Sequence, residues 1–288
     1  MSAIDLPVNV PGKRAALLLK HSECGIQSIL KGGCGMKRLL LLAVLSLGLV
    51  TWANAQVNKA VILDRVFNDD PDSISSHFNA WPSILLTDNK VDGDDADPEW
   101  ANRHAWFISG DGVSELEVPL SVPWVMSFDL TLVGTPATPR KEAGYLIRIG
   151  MPWGYSEGQF IVNTDAHEVV AFGYPFPFYS FNASHGLSYN SGQTIRLGVT
   201  FFKDPGDGLY KIIYSANGIS SPALALADQG LFTGWITPGG YLQVQIDKNN
   251  PSNGGAALFN NIAVVPEPAS VAVLGLGVAA LALRRRKR

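Results

Sequence analysis

From Gln56 to Val265 the apolar residues recur at every second position, not at every third or fourth. Phe128, Leu130 and Leu132 alternate with Ser127, Asp129 and Thr131, and Tyr145, Ile147 and Ile149 bracket Arg148. Ile195, Leu197, Val199 and Phe201 alternate with Thr194, Arg196, Gly198 and Thr200; Leu242, Val244 and Ile246 alternate with Gln243, Gln245 and Asp247. A period of two puts one set of side chains on one face of an extended chain. A strand with a single apolar face must pair with neighbours and bury that face against a second layer. The turn residues agree: Asp204-Pro205-Gly206-Asp207-Gly208 and Asn217-Gly218 separate such runs, and Asn253-Gly254-Gly255 precedes the last one. The pattern predicts an all-β antiparallel sandwich of strands buried on one side, with a helical turn or two expected only at Ala223–Ala227. No internal repeat or long linker divides this body, and roughly 210 residues suffice for one core.

Two flanking segments follow other rules. Lys37-Arg38, the apolar run Leu39–Val50 and Ala53-Asn54-Ala55 form the three parts of a secretory signal. Cleavage after Ala55 would leave Gln56 first, and signal peptidase is the implied partner. Because such a signal normally opens a chain, Met36 is the expected start of synthesis and residues 1–35 an upstream extension assigned in error; a genuine extension is the alternative. Cys24 and Cys34 both precede Met36, so the body from Gln56 onward contains no cysteine, and disulfides, thiolate nucleophiles and Cys-ligated zinc are excluded from it.

At the other end, Val265-Pro266-Glu267-Pro268 is followed by an apolar run, Val271–Leu283, and then by Arg284, Arg285, Arg286, Lys287 and Arg288. The prolines forbid continuous helix or strand. From Ala269 to Leu283 a helix would span about 22 Å against a hydrocarbon core of about 30 Å; snorkelling arginines make up part of the difference. The basic cluster fixes the C-terminus in the cytoplasm, so a single C-terminal membrane helix is expected over 266–288. This three-part tail resembles the PEP-CTERM sorting signal. The resemblance implies an envelope protein of a Gram-negative-type bacterium, cut near Pro266, Glu267 and Pro268 by an exosortase and released to the cell surface or matrix. It also implies an association with exopolysaccharide and biofilm.

Charge narrows the partners. The segment Gln56–Val265 carries 11 Lys and Arg against 22 Asp and Glu. A body this acidic repels nucleic acid, which is excluded as a partner. The strand order and the ending Ala257–Val264 resemble a concanavalin A-like, laminin-G-like jelly roll; a galactose-binding-like sandwich, suggested by Thr87-Asp88 with Trp100 and Trp106, is the alternative.

Candidate chemistry is sparse. Asp92, Asp94, Asp95, Asp97 and Glu99 crowd one Gly-kinked loop, the kind of oxygen-rich segment that calcium uses. Lys90 and Pro98 rule out an EF-hand, which leaves a calcium site of another geometry or a solvated acidic loop. Calcium is the one cofactor in view, and none is required. Prolines keep Tyr174-Pro175-Phe176-Pro177-Phe178-Tyr179 out of a central strand. Tyr174 and Phe178, with Trp153 and Tyr155, are therefore candidates to stack on sugar rings, loop packing being the alternative. The zinc-protease, nucleophile-elbow and phosphate-loop patterns are missing, as is the Glu-x-Asp-x-x-Glu of laminarinase-like jelly rolls. Glu142, Glu157, Asp165 and His185 could still meet across strands. The expectation is a non-enzymatic, glycan- or surface-binding sandwich favouring neutral polysaccharide, with a polysaccharide hydrolase or lyase as the alternative.

Overall fold

The computed structural model describes residues 57–68, 74–89, 101–245 and 254–266. The upstream segment 1–35, the signal 36–55, the acidic loop 92–99, Trp100 and the tail 267–288 lie outside the described residues. Numbered in chain order, sixteen strands among the described residues form two antiparallel sheets. Sheet A runs β1 (Lys59–Asn68), β4 (Ala101–Ser109), β15 (Trp235–Gln245), β7 (Lys141–Met151), β8 (Gly154–Asn163), β9 (Val169–Gly173), β10 (Tyr179–Ser180), with β5 (Val118–Pro119) also beside β15. Sheet B runs β13 (Ile219–Ser220), β12 (Tyr210–Ala216), β11 (Thr194–Lys203), β6 (Trp124–Thr135), β16 (Gly254–Pro266), β3 (Ser83–Asn89), β2 (Ile74–Ala80), with β14 (Leu224–Ala225) also beside β12. A short helix, α1 (Phe181–His185), is capped by the Ser180 hydroxyl and closed by Gly186 in the left-handed region at φ 66°.

The alternation read from the sequence is the burial pattern of β6, where Trp124, Met126, Phe128, Leu130 and Leu132 point inward. Between the sheets Phe128 meets Trp106, Phe259 and Tyr145, and Tyr145 stacks on Phe160. The Tyr145 hydroxyl donates to the Met126 carbonyl at 2.7 Å, so the ring is buried without stranding its polar atom. Asn217 and Gly218, at φ 48° and 82°, form the two-residue turn joining β12 to β13.

Two expectations fail. Residues 223–227 are not helical: Leu224–Ala225 pairs with β12, the Leu226 amide donates to the Tyr210 carbonyl, and the 3-10 turn comes later, at Gln229–Leu231. Pro222 and the open edge of β12 win over the helical propensity of a short Ala/Leu run. Nor is burial one-sided throughout. All of β7 is buried, as is most of β4 and β15. Ala105, Phe107, Leu146, Ile161, Val170 and Tyr241 form a second apolar cluster on the outer face of sheet A, with Val61, Leu63, Val66 and Phe172 packed against it.

Strand β16 lies in the middle of sheet B. Up to Phe259 it pairs with both β3 and β6; past a register shift between Asn260 and Ala263 it pairs with β6 alone. Asn261, at φ 51°, makes the bulge, and its amide donates to Asp129 at 2.7 Å. The strand ends with Val264, Val265 and Pro266 opposite Met126, Val125 and Trp124. The end of the sandwich where it leaves, the exit end, is tied together by rings: Trp124 stacks on Phe201, Phe201 on Tyr210, and Tyr210 meets Phe232. The Thr233 amide then donates to Gly150 at the β7–β8 turn of sheet A. Among the described residues no helix is long and apolar enough to cross a membrane; the expected C-terminal membrane helix falls on residues outside them.

Candidate functional site on the outer face of sheet A

Register decides which side chains share this outer face. Gln243, Glu142 and Asn163 stand in one cross-strand row with Arg103, and Thr237, Arg148 and Glu157 in another. The two rows are six residues apart along β7, which is about 20 Å of extended strand. Even so, Arg103 Nη1 lies 3.2 Å from Glu157 Oε2. Side chains this far apart on the diagonal between β4 and β8 meet because twist and curl make the outer face concave.

Four charges run across that hollow. Glu157 accepts from Arg103 through one oxygen and, through the other, from Arg148 Nε at 3.1 Å. Arg148 Nη1 donates to Glu115 at 2.7 Å, and Arg103 Nε donates to the Gln243 side-chain oxygen at 3.0 Å. The Arg148 guanidinium is held between two rings, 4.3 Å from the Phe107 centroid and 4.5 Å from that of Tyr155. Its side chain is only 8% exposed, so these contacts are only weakly screened by solvent. Beneath the charges lie Ala105, Phe107, Leu146 and Tyr241, so the site is a polar strap over an apolar floor.

At the row of Arg103 the Tyr241 hydroxyl donates to Glu142 at 2.9 Å. Burial pushes the Glu142 carboxyl above its ordinary range, partly offset by that hydrogen bond and by Arg140 and Arg103. Burial, reinforced by Glu142, drives the Tyr241 hydroxyl well above 10.

The residues singled out from the sequence are distributed unevenly. Tyr155 belongs to the strap through Arg148, and Trp153 stands beside it on the β7–β8 turn, 61% exposed. The 174–179 segment alternates. Tyr174 is exposed, with its hydroxyl on Asp228 at 2.6 Å; Phe176 is buried against Gly158, where a Cβ would stand 2.2 Å from the ring; Phe178 is 70% exposed. Of Glu142, Glu157, Asp165 and His185, only Glu142 and Asp165 come together, both on Arg140; Glu157 serves the strap and His185 bonds Tyr179. Asp88 and Trp106 are core residues rather than ligand-facing ones. Asp88 pairs with His104 at 2.5 Å between the sheets, both side chains all but inaccessible. Among the described residues no three His, Cys, Asp or Glu side chains gather as metal ligands would; Asp92, Asp94, Asp95, Asp97 and Glu99 lie outside them. Arg103, Glu115, Tyr241 and Gln243 were not found by sequence reasoning. The available signal was Arg148, Gln243 and Glu157 recurring on the polar side of alternating runs.

Comparison with known proteins adds one assignment, at the exit end. Residues 264–287 match the PEP-CTERM protein-sorting motif. The match begins inside β16, at Val264. It covers a small part of the chain, and no curated protein matches the chain as a whole. Among solved structures, a variant of the family 7 alginate lyase A1-II′ in complex with substrate shares 10% identity at a TM-score of 0.48, over 73% of this chain and 93% of that one. Alginate lyase PA1167 from Pseudomonas aeruginosa shares 16% at 0.46, over 66% and 86%. The carbohydrate recognition domain of Emp47p shares 12% at 0.37, over 70% and 97%. Likenesses this distant carry no argument about the chemistry of this chain.

Proposed function

We propose that this chain is exported, anchored briefly by its C-terminal tail, and cut by an exosortase near Pro266-Glu267-Pro268, leaving a jelly-roll sandwich that binds polysaccharide without cleaving it. The cut body would reside at the surface or in the matrix of a Gram-negative-type envelope, and 36–55 would have been removed by signal peptidase after Ala55. The sorting half of this reading rests on the motif match at 264–287. The binding half rests on the strap: a concave sheet face that carries Arg103, Glu157, Arg148 and Glu115 over apolar side chains, with Tyr155 at its rim. Each guanidinium there is already matched by a carboxylate, which favours neutral sugars, whose hydroxyls exchange hydrogen bonds with paired ions and whose flat faces stack on Tyr155. The neighbouring Trp153, and Tyr174 and Phe178 along the same rim, would extend the contact, and calcium held by Asp92–Glu99 would bridge any acidic polymer.

A polysaccharide lyase or hydrolase on the same face is the competing reading. Against it, the Tyr241 hydroxyl is engaged by Glu142, and Glu157 and Glu115 both accept from Arg148. A glycan array on the released protein, with calcium and with chelator, tests the proposal. Retention of neutral glycans that is lost in Tyr155→Ala supports it. Appearance of shortened or unsaturated products would replace it with the enzyme.

A further inference from the structure

Large apolar side chains are not exposed evenly over the described residues. Trp153 and Tyr155 on the β7–β8 turn, Tyr174 and Phe178 in the loop after β9, and Leu209 in the β11–β12 hairpin are all exposed. So are Val113 in the loop after β4, Leu231 in the 3-10 turn, and Val265 near the end of β16. Pairing places Trp153, Tyr155, Leu209 and Val265 at the exit end, where Val113 follows the end of β4 and Leu231 precedes Phe232 beside Tyr210. The loop carrying Tyr174 and Phe178 runs back from there to Tyr179, opposite Ala171. Gly150 and Met151 oppose Tyr155 and Gly154, Gly158 opposes Gly173 just before Tyr174, Lys203 opposes Tyr210, and Pro266 opposes Trp124. Of the other exposed large apolar residues, Ile74 and Val133 stand singly toward the far end of sheet B and Phe78 stands along β2. Patches of this kind mark a surface that is covered in use.

The chain itself indicates what covers it. Pro266 is still paired with Trp124 in sheet B, and the apolar run of the tail begins at Val271. Five residues reach at most about 18 Å when fully extended, so no linker separates the exit end from whatever holds the run. We propose that, in the anchored precursor, the exit end docks on the lipid surface. Trp153, Tyr174, Phe178 and Leu231 would sit at headgroup depth, where aromatic side chains with one polar edge are favoured. This inference rests on the tail being membrane-inserted, as proposed above. It gives the exposed rings a role before release, and it places Val264–Pro266, held on β6 alone, at the membrane surface where a membrane-embedded peptidase works.

The test uses the signal-processed chain Gln56–Arg288, which lacks the signal's apolar run and has no cysteine of its own, reconstituted in phosphatidylcholine vesicles with brominated acyl chains. A polarity-sensitive fluorophore is attached at Phe178→Cys or, as the far-side control, at Asp165→Cys. Flotation of the protein with the vesicles after carbonate washing reports insertion of the tail. The expected result is flotation with quenching several-fold stronger at position 178 than at 165, abolished when Trp153 and Leu231 are both changed to Ser. Failure to float removes the anchoring and overturns both readings. Flotation with equal quenching at the two positions overturns docking alone. A 178 label that is shielded only at high protein density, or only when polysaccharide is added, assigns the patch to a second copy or to glycan and also overturns it.

Discussion

The two ends of the sandwich are built from loops joining the same strands, yet they treat their side chains in opposite ways. At the far end, charge is turned inward. Lys141 is buried with its ammonium on the Pro136 and Pro139 carbonyls, and His104 pairs with Asp88. Arg140 gathers Asp165 at 3.0 Å, Glu168 at 3.6 Å and Glu142 at 3.9 Å. At the exit end, apolar rings are turned outward. Loop position alone therefore does not determine exposure. The far end spends its polar groups on holding the sheets together, whereas the exit end is left unfinished, as a surface awaiting cover would be.

The contrast breaks most visibly through stability. His104→Ala leaves the Asp88 carboxylate buried without its partner, and about 3–5 kcal/mol of loss is expected in urea unfolding. Phe178→Ser at the exit end should stay within about 0.5 kcal/mol of the parent. Equal costs would erase the distinction between the ends. Next in size, Glu157→Ala takes one carboxylate from two guanidiniums at once. It should cost about 1–3 kcal/mol and reduce polysaccharide retention, whereas Glu157→Gln should recover much of the stability.

Acid and base responses sharpen the comparison further. Glu142 has its folded pKa raised, chiefly by burial, so it binds its proton more tightly folded than unfolded. Its contribution is fully present below the unfolded value near 4.5 and is lost as pH rises through the folded one. Melting temperature should therefore fall from this source on going from pH 4 to pH 8, and Glu142→Gln should flatten that part of the profile. Asp129, beside the bulge of β16, behaves oppositely. Burial works to raise its pKa, but hydrogen bonds from Asn261 and Arg196 outweigh burial and hold it below 3.8. Its contribution is present above the unfolded value and is lost as pH falls through the folded one, so Asp129→Asn should remove part of the acid sensitivity. The smallest effect expected is that of Tyr174→Phe, which forfeits one exposed hydrogen bond to Asp228. It should leave the melting temperature almost unmoved in a calorimetric scan.

Sheet B was legible in the sequence and sheet A only in part. In β6 and β11 most outward positions are polar, among them Ser127, Asp129, Thr131, Thr194, Arg196 and Thr200, so the period of two stands out and the core list follows from it. In the middle of sheet A the outward positions include Ala105, Phe107, Leu146, Ile161 and Tyr241, which buried a second face and hid the hollow behind an apolar run. The strap escaped for a different reason. Arg103 and Glu157 are 54 residues apart in sequence and, by register, three strands and six residues apart on the diagonal; only the curl of the sheet brings them together. The tail was readable because its three parts are local and ordered, while the exit end was not, because it gathers loops from five separate parts of the chain.

Hydrogen exchange on the membrane-anchored protein, compared with the same protein after the tail is cut, tests the central claim most directly. The account predicts that amides of the 152–155, 174–178 and 230–233 segments exchange more slowly while the tail is inserted, and that the far-end 136–140 and 164–168 segments exchange alike in both forms. Equal exchange at the exit end before and after cutting, or protection appearing at the far end instead, would contradict it.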